Sequence, residues 1–206
     1  MSIDRLQAAK RVARKLNAAI DAAPVDRLAK VLAAHTNADY RWRGMRPFYE
    51  QQGAASTVEV FWQPLHQSFT NLQRREDVFF AGENFVDRGE TTWALSMGNM
   101  MGLFDQDWLG IHATGKLAFL RYAEFHRVEG DRIAESAFFC DILSVMHQAG
   151  CYPLPPQTGA HIIQPGPRTH DGLLLEPQQP EEGAQTMELV NRMVADLSEL
   201  NRTGDD

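Results

Sequence analysis

From Asp77 to Leu143 apolar side chains recur at alternate positions, a pattern that only the strands of a sheet can bury. Four runs carry it: Asp77–Phe85, Thr91–Leu103, Lys116–Val128 and Arg132–Leu143, all rich in β-branched and aromatic residues. Asp87-Arg88-Gly89-Glu90 and Gly130-Asp131 separate them as turns. Before Asp77 the period is helical. Ile3, Leu6, Ala9, Val12, Ala13, Leu16 and Ile20 place one amphipathic helix over residues 3–22, and Pro24 opens a second that runs to about Ala34. Asp39–Trp42 reads as a short extended segment. A third helix starts at Ser56, which has capping-box spacing to Glu59. Its buried face would be Val58, Phe61, Trp62, Leu65, Phe69 and Leu72, with Pro64 kinking it or ending its first segment. Helices first and consecutive strands after predict an α+β domain built on a curved antiparallel sheet.

Past Gly150 the pattern lapses. Residues 152–183 hold seven of the ten prolines and read as an extended arm. Residues 184–200 then give an amphipathic helix through Met187, Leu189, Val190, Met193, Val194 and Leu197. A lone helix of this length is marginal in water and needs the domain body or a partner chain to dock on. The expected organisation is an N-terminal helix (1–23), a cone domain (24–151), and an arm with a C-terminal helix (152–206).

Composition narrows the function classes. A net charge of −7, with basic residues concentrated in Lys10–Lys15 and Arg41–Arg46, argues against nucleic acid as a partner. No apolar run approaches the ~20 residues that span a bilayer, so no membrane partner is expected. The N-terminus is charged from Asp4 onward, and the two cysteines, Cys140 and Cys151, have no framework spacing; a cytoplasmic location without a disulfide is expected. The histidines have no ligand spacing, and neither a GxSxG nor a nucleotide-binding glycine loop is present. Neither a metal nor a cofactor is expected.

The last two strands concentrate the chemistry. With Gly130-Asp131 at the centre of a two-residue turn, Glu129 faces Arg132 and Val128 faces Ile133. Continuing in step, His126 faces Glu135, Glu124 faces Ala137, Tyr122 faces Phe139 and Leu120 faces Asp141. Tyr122, Glu124, His126, Glu135 and Asp141 would then share one face. Such groups are seldom buried without partners. They either satisfy one another, as a His126–Glu135 pair would, or line a cavity in which a desolvated Asp141 moves protons. A one-residue slip in register would break the alignment.

Trp108-Leu109-Gly110-Ile111-His112-Ala113-Thr114-Gly115, Glu124–Val128, Gly130–Glu135, and Asp141 through Gln148-Ala149-Gly150 together resemble the SnoaL-like polyketide cyclase family, of the nuclear transport factor two-like superfamily. The resemblance runs from about Val25 to Gly150. It implies a cone-shaped sheet whose open end is closed by helices, an interior pocket for a small apolar ligand, and a homodimer packed sheet against sheet. It also implies cofactor-independent acid/base chemistry with Asp141 as catalytic aspartate and His126 as the nearest assisting histidine. Tyr122 and Glu124 would hold the substrate oxygen. Trp42, Trp62 and Trp93 would point into the cone as core or as substrate platforms. The family's Pro-Thr-Gly is Ala113-Thr114-Gly115 here, and the arm and last helix lie beyond the basic family domain.

Two functions are therefore expected to compete. One is a cyclase, isomerase, hydratase or hydrolase acting on an apolar carbonyl compound. The other is a non-catalytic ligand-binding or dimerisation module on the same fold. An open pocket reaching Asp141 favours the first, and a cone filled by side chains favours the second.

Overall fold

A computed structural model describes residues 3–156, 158–159 and 166–204. Helix α1 (Ile3–Ala22) buries Ala9, Ala13, Leu16, Asn17 and Ile20, and after Pro24 a 3-10 turn leads into α2 (Leu28–His35). Strands β1 (Thr36–Gly44) and β2 (Glu50–Gln52) precede a helical stretch. That stretch runs from α3 (Ala54–Thr57) through a wider π turn (Val58–Trp62) into α4 (Gln63–Ser68). Pro64 is the second residue of α4, directly after the π turn, and having no N–H it cannot continue that turn's bonding, so the helix changes its pattern there. The chain enters the helix at Ala54, with Gly53 at the cap. Ser56 spends its hydroxyl on the Gln51 side chain, so the expected Ser56–Glu59 box does not form.

The sheet then builds through β3 (Phe69–Glu83), β4 (Thr92–Phe104), β5 (Lys116–Glu129) and β6 (Arg132–Cys140), in the order β2-β1-β6-β5-β4-β3. Neighbours from β3 to β6 are antiparallel, whereas β1 runs parallel to β6. The sheet is therefore mixed rather than wholly antiparallel. Residues 69–76, expected as the tail of a helix and a loop, belong to β3 because β4 extends to Phe104 and offers them partners as far as Phe69. Tertiary pairing outweighs the helical spacing of Phe69 and Leu72.

Inside the curve of the sheet the aromatic residues interlock. Trp42 lies 5.2 Å from Phe61 and 6.2 Å from Phe138, and Phe61 stands 4.5 Å from Phe138. All three are fully buried, and Trp62 closes the group at 5.0 Å from Phe61. Gly98 on β4 faces this side with no room for a side chain: a Cβ there would lie 2.0 Å from the Arg75 carbonyl oxygen, where β3 bulges across it.

The arm caps a sheet edge. Phe79 N–H donates to the Gly172 carbonyl and Leu174 N–H donates to the Phe79 carbonyl, at 2.9 and 2.8 Å, so residues 172–174 lie along the outer edge of β3. Two compact units result: residues up to Leu175 form one, and the chain from Glu176 onward, with α6 (Pro180–Thr203), forms the other. Among the described residues no helix is long and apolar enough to cross a membrane.

Candidate functional site

The hairpin holds the expected register only at its mouth. Glu129 faces Arg132 and Val128 faces Ile133, but a bulge then inserts one residue, so Arg127 faces Glu135 and His126 faces Ser136. The slip turns Glu135 to the outer face. There it takes Arg41 at 2.9 Å, Arg43 at 2.8 Å and Arg127 at 3.5 Å. Tyr122, Glu124 and His126 stay on the inner face, where strand alternation puts them, with Ser136 and Phe138 as their cross-strand companions.

This inner row is buried and carries ionisable groups. Glu124 is 3% exposed and His126 1%. Arg74, projecting inward from β3, donates from Nη1 to Glu124 at 2.9 Å and from Nε to Asp21 of α1 at 3.1 Å. Its guanidinium also lies 5.0 Å from the Tyr122 ring centre and 5.7 Å from that of Trp62. Burial alone would raise the Glu124 carboxyl, but the charges of His126 and Arg74 outweigh it and hold the group down to about 2. For Asp21 the balance reverses: burial outweighs Arg74 and raises its carboxyl above the ordinary range. Burial likewise pushes the Tyr122 phenol up to about 12. Tyr122 and Ser96 share a 2.8 Å hydrogen bond, and the Ser96 hydroxyl reaches Glu76 at 2.8 Å.

His126 sits at the junction of these groups. Its Nε2 is 3.2 Å from Asn17 Oδ1 and 3.6 Å from Glu124, and its Nδ1 is 2.8 Å from the Ser136 hydroxyl. With Nε2–H donating to Asn17, the neutral ring accepts from Ser136; in the protonated ring the hydroxyl turns and accepts instead. Both protonation states are thus served by one arrangement of heavy atoms. Next to Asn17 and Arg74 a pocket of about 390 Å³ opens between α1, β3 and the arm.

Comparison with known proteins bears on the scaffold. No family model and no curated protein matches the sequence. Solved structures do match. One carrying the name of a SnoaL-like polyketide cyclase, from Jannaschia sp. CCS1, superposes with a TM-score of 0.54 at 17% identity, over 73% of this chain and 94% of its own. A second, named for a polyketide cyclase of Streptomyces antibioticus, gives 0.53 at 14% identity over 68% and 96%. A third, so named from Xanthomonas campestris, gives 0.52 at 17% over 69% and 97%. The chain has the SnoaL-like fold.

Within the SnoaL-like fold the expected site residues divide. The structure brings Tyr122, Glu124 and His126 together and places Trp42 and Trp62 against them through Phe61 and Phe138. Trp93 is elsewhere. It pairs with Arg127 on the outer face and lines a separate groove with Leu95, Phe125 and Phe139, because Ala94 and Ser96 hold the inward positions of β4. Asp141 is also outside the cluster. It is exposed at the N-cap of α5 (Ile142–Gln148), where its Oδ1 accepts the Ser144 N–H at 2.8 Å. The expected desolvation by Phe139 does not occur, since that ring is 53% exposed on the outer face. Ser96 and Ser136 were not anticipated, nor were three charged or amide members of the cluster. Asn17 and Asp21 are spaced i, i+4 beside the apolar stripe of α1, a signal available in the sequence. Arg74 lay in a segment read as helix and loop, so its inward parity was invisible.

Proposed function

We propose that this chain performs cofactor-independent acid/base chemistry on a small, apolar carbonyl compound, with His126 as the proton carrier, oriented by Asn17 and Ser136 beside the Glu124–Arg74 ion pair. The supporting observation is that the partners of His126 accommodate both its protonated and its neutral forms, with an ion pair buried beside it. Such clusters concentrate where proton transfer is done. Asn17 stands between the imidazole and the adjoining pocket, so a substrate reaches His126 only once that side chain swings away. Cyclisation, isomerisation and hydration all draw on these parts. Asp141, at the position the family resemblance marks, enters this scheme only by a route separate from the His126 cluster.

The test needs no prior substrate. Small ketones and 1,3-dicarbonyl compounds incubated with the protein in D2O should exchange hydrogen for deuterium at the carbon alpha to the carbonyl, followed by NMR. His126→Gln should slow that exchange at least a hundredfold, in line with the usual loss of a general acid/base. Exchange that survives His126→Gln but not Asp141→Asn would transfer the role to Asp141.

The second reading, a binding module without catalysis, is favoured by the interlocked Trp42, Phe61, Trp62 and Phe138, which leave the depth of the cone filled. It predicts no exchange with any compound of the panel.

The outer face supports a homodimer. Phe80, Leu95, Phe125 and Phe139 line a groove of about 430 Å³ there, and Phe80 and Phe139 are exposed. Light scattering should give twice the 23.2 kDa chain mass, and Phe125→Asp should return it to the single-chain value. A single-chain mass for the unaltered protein ends this part of the proposal.

A further inference from the structure

The pocket beside Asn17 and Arg74 has walls that lie outside the stretch resembling the family. One wall is α1, and another is the arm. Leu173 and Leu175 pack on Ala13, Phe79 and Ala94, which anchors the arm over α1 and β3. Gly172 fits only as glycine: a Cβ there would lie 2.4 Å from the Asp77 carbonyl oxygen. The anchoring fixes a tight turn in which His170 N–H donates to the Pro167 carbonyl at 3.1 Å and Leu173 N–H donates to the His170 carbonyl at 3.0 Å. His170 is held there at φ 53, a left-handed backbone that needs such support, and it enters the pocket wall with Leu173.

Two polar groups on this wall lack a counterpart. Asn17 Nδ2 and Arg74 Nη2 are sealed from water and have no hydrogen-bond partner. Both are donors lying just behind the pocket surface, and a buried donor left unmet costs about 1–3 kcal/mol, which an incoming acceptor relieves once the Asn17 amide turns toward the pocket. The lining carries both signs of charge: Arg14, Arg74 and Arg75 against Asp21 and Glu76. Arg14 and Arg75 are exposed and screened, and the buried Arg74 is already answered by Asp21 and Glu124. A carboxylate therefore gains no unpaired cation and still meets the two acids, while an ammonium meets Arg74. An uncharged acceptor meets neither penalty.

We propose that this pocket binds a neutral carbonyl compound, an amide or ketone, whose oxygen accepts from Asn17 and Arg74, and that residues 166–175 are the wall that completes it. This deepens the proposed function by naming the group bound, and rests on it only for the nearness of His126.

Benzamide, benzoate and benzylamine share one ring and differ in charge, so a titration of the full chain followed by 1H–15N NMR separates the alternatives. Benzamide should saturably shift the Asn17 side-chain amide and the Gly172 and Leu173 backbone amides, and the two charged analogues should bind at least tenfold more weakly. Gly172→Val, which forces the arm off β3, should weaken benzamide at least tenfold while the β5 and β6 amide signals keep their positions. Leu173→Ser, a milder detachment, should act in the same direction. Benzoate binding as tightly as benzamide, no shift at Asn17, or undiminished affinity in both arm variants overturns the proposal. Benzamide has no hydrogen alpha to its carbonyl, so its binding is read independently of turnover. Binding without exchange in D2O sinks only the catalytic reading, and exchange without benzamide binding sinks only this one.

Discussion

Arg74→Met should destabilise the protein by about 3–5 kcal/mol at pH 7, among the largest effects expected of any single substitution in the chain. The side chain is 4% exposed and pairs with Glu124 and Asp21, which are 3% and 33% exposed. Removing the guanidinium leaves the buried Glu124 carboxylate with only His126 beside it, and breaking a buried ion pair from one side is strongly destabilising. The loss should depend on pH with a definite sign. Glu124 is held at about 2 in the folded chain against an ordinary 4.5. A depressed carboxyl contributes stability above its unfolded value and loses it as pH falls toward its folded one, here from about 4.5 to about 2. Asp21, raised by burial, works in the opposite sense and recovers stability on acidification. In Arg74→Met only His126 is left to oppose the burial of Glu124, so its carboxyl rises too. The variant should then lie closest to the parent at pH 4 and furthest from it at pH 7, as urea denaturation at the two values will show. Adding Glu124→Gln should restore part of the loss, because an uncharged pair of similar volume removes the stranded charge. A uniform loss at both pH values would mean that Arg74 acts through packing on Trp62 and Tyr122 and not through charge.

How much of this was legible in the sequence depends on which residues are asked about. Strand alternation in β5 alone puts Tyr122, Glu124 and His126 on one face, and that much needs no partner strand. The assignment of Glu135 and Asp141 did need one, and it failed at a single bulge. No local residue signals that bulge, because Ala134 and Glu135 are compatible with either register; the three arginines drawn to Glu135 on the outer face decide it. Trp93 was lost for a related reason. It is the second residue of β4, next to Ala94 and so on the opposite face, and an aromatic ring suits either side of a sheet covered on both. Residues 69–76 show the limit of periodicity itself, since Phe69 and Leu72 fit a helix and only the length of β4 makes them strand. The parallel pairing of β1 with β6 joins residues almost a hundred positions apart, and nothing near Trp42 announces Ser136 as its neighbour. Asn17 and Asp21 were readable as a polar i, i+4 pair, but their meaning depends on what α1 covers. The arm's prolines mark where the strand pattern lapses but not what the arm joins, since the chain up to Leu175 belongs to the same compact unit as the sheet. The edge of β3 that Gly172 and Leu174 occupy is a property of the assembled sheet.

Trp42→Ala is expected to cost about 3–5 kcal/mol, and it distinguishes a filled cone from a substrate platform. The side chain is wholly buried, in contact with Phe61 and Phe138, with Phe48 6.2 Å away. Truncating an aromatic residue in such a setting removes its transfer free energy and leaves a cavity that the neighbours only partly close. Trp42→Phe is the informative companion. The indole Nε1 is buried without a hydrogen-bond partner, so the phenyl ring discards an unsatisfied donor along with some volume. The two effects oppose, and the net cost should be no more than about 1–2 kcal/mol. If Trp42 is core, both variants should lose denaturation midpoint in that ratio while the rate of carbonyl hydrogen exchange per folded molecule stays near the parental value. If Trp42 carries substrate, Trp42→Phe should keep its stability and lose exchange several-fold through KM. The aromatic interlock around Trp42 makes the first outcome the expected one, and it would confine the working chemistry of the cone to the layer above, where His126, Glu124 and Arg74 meet α1.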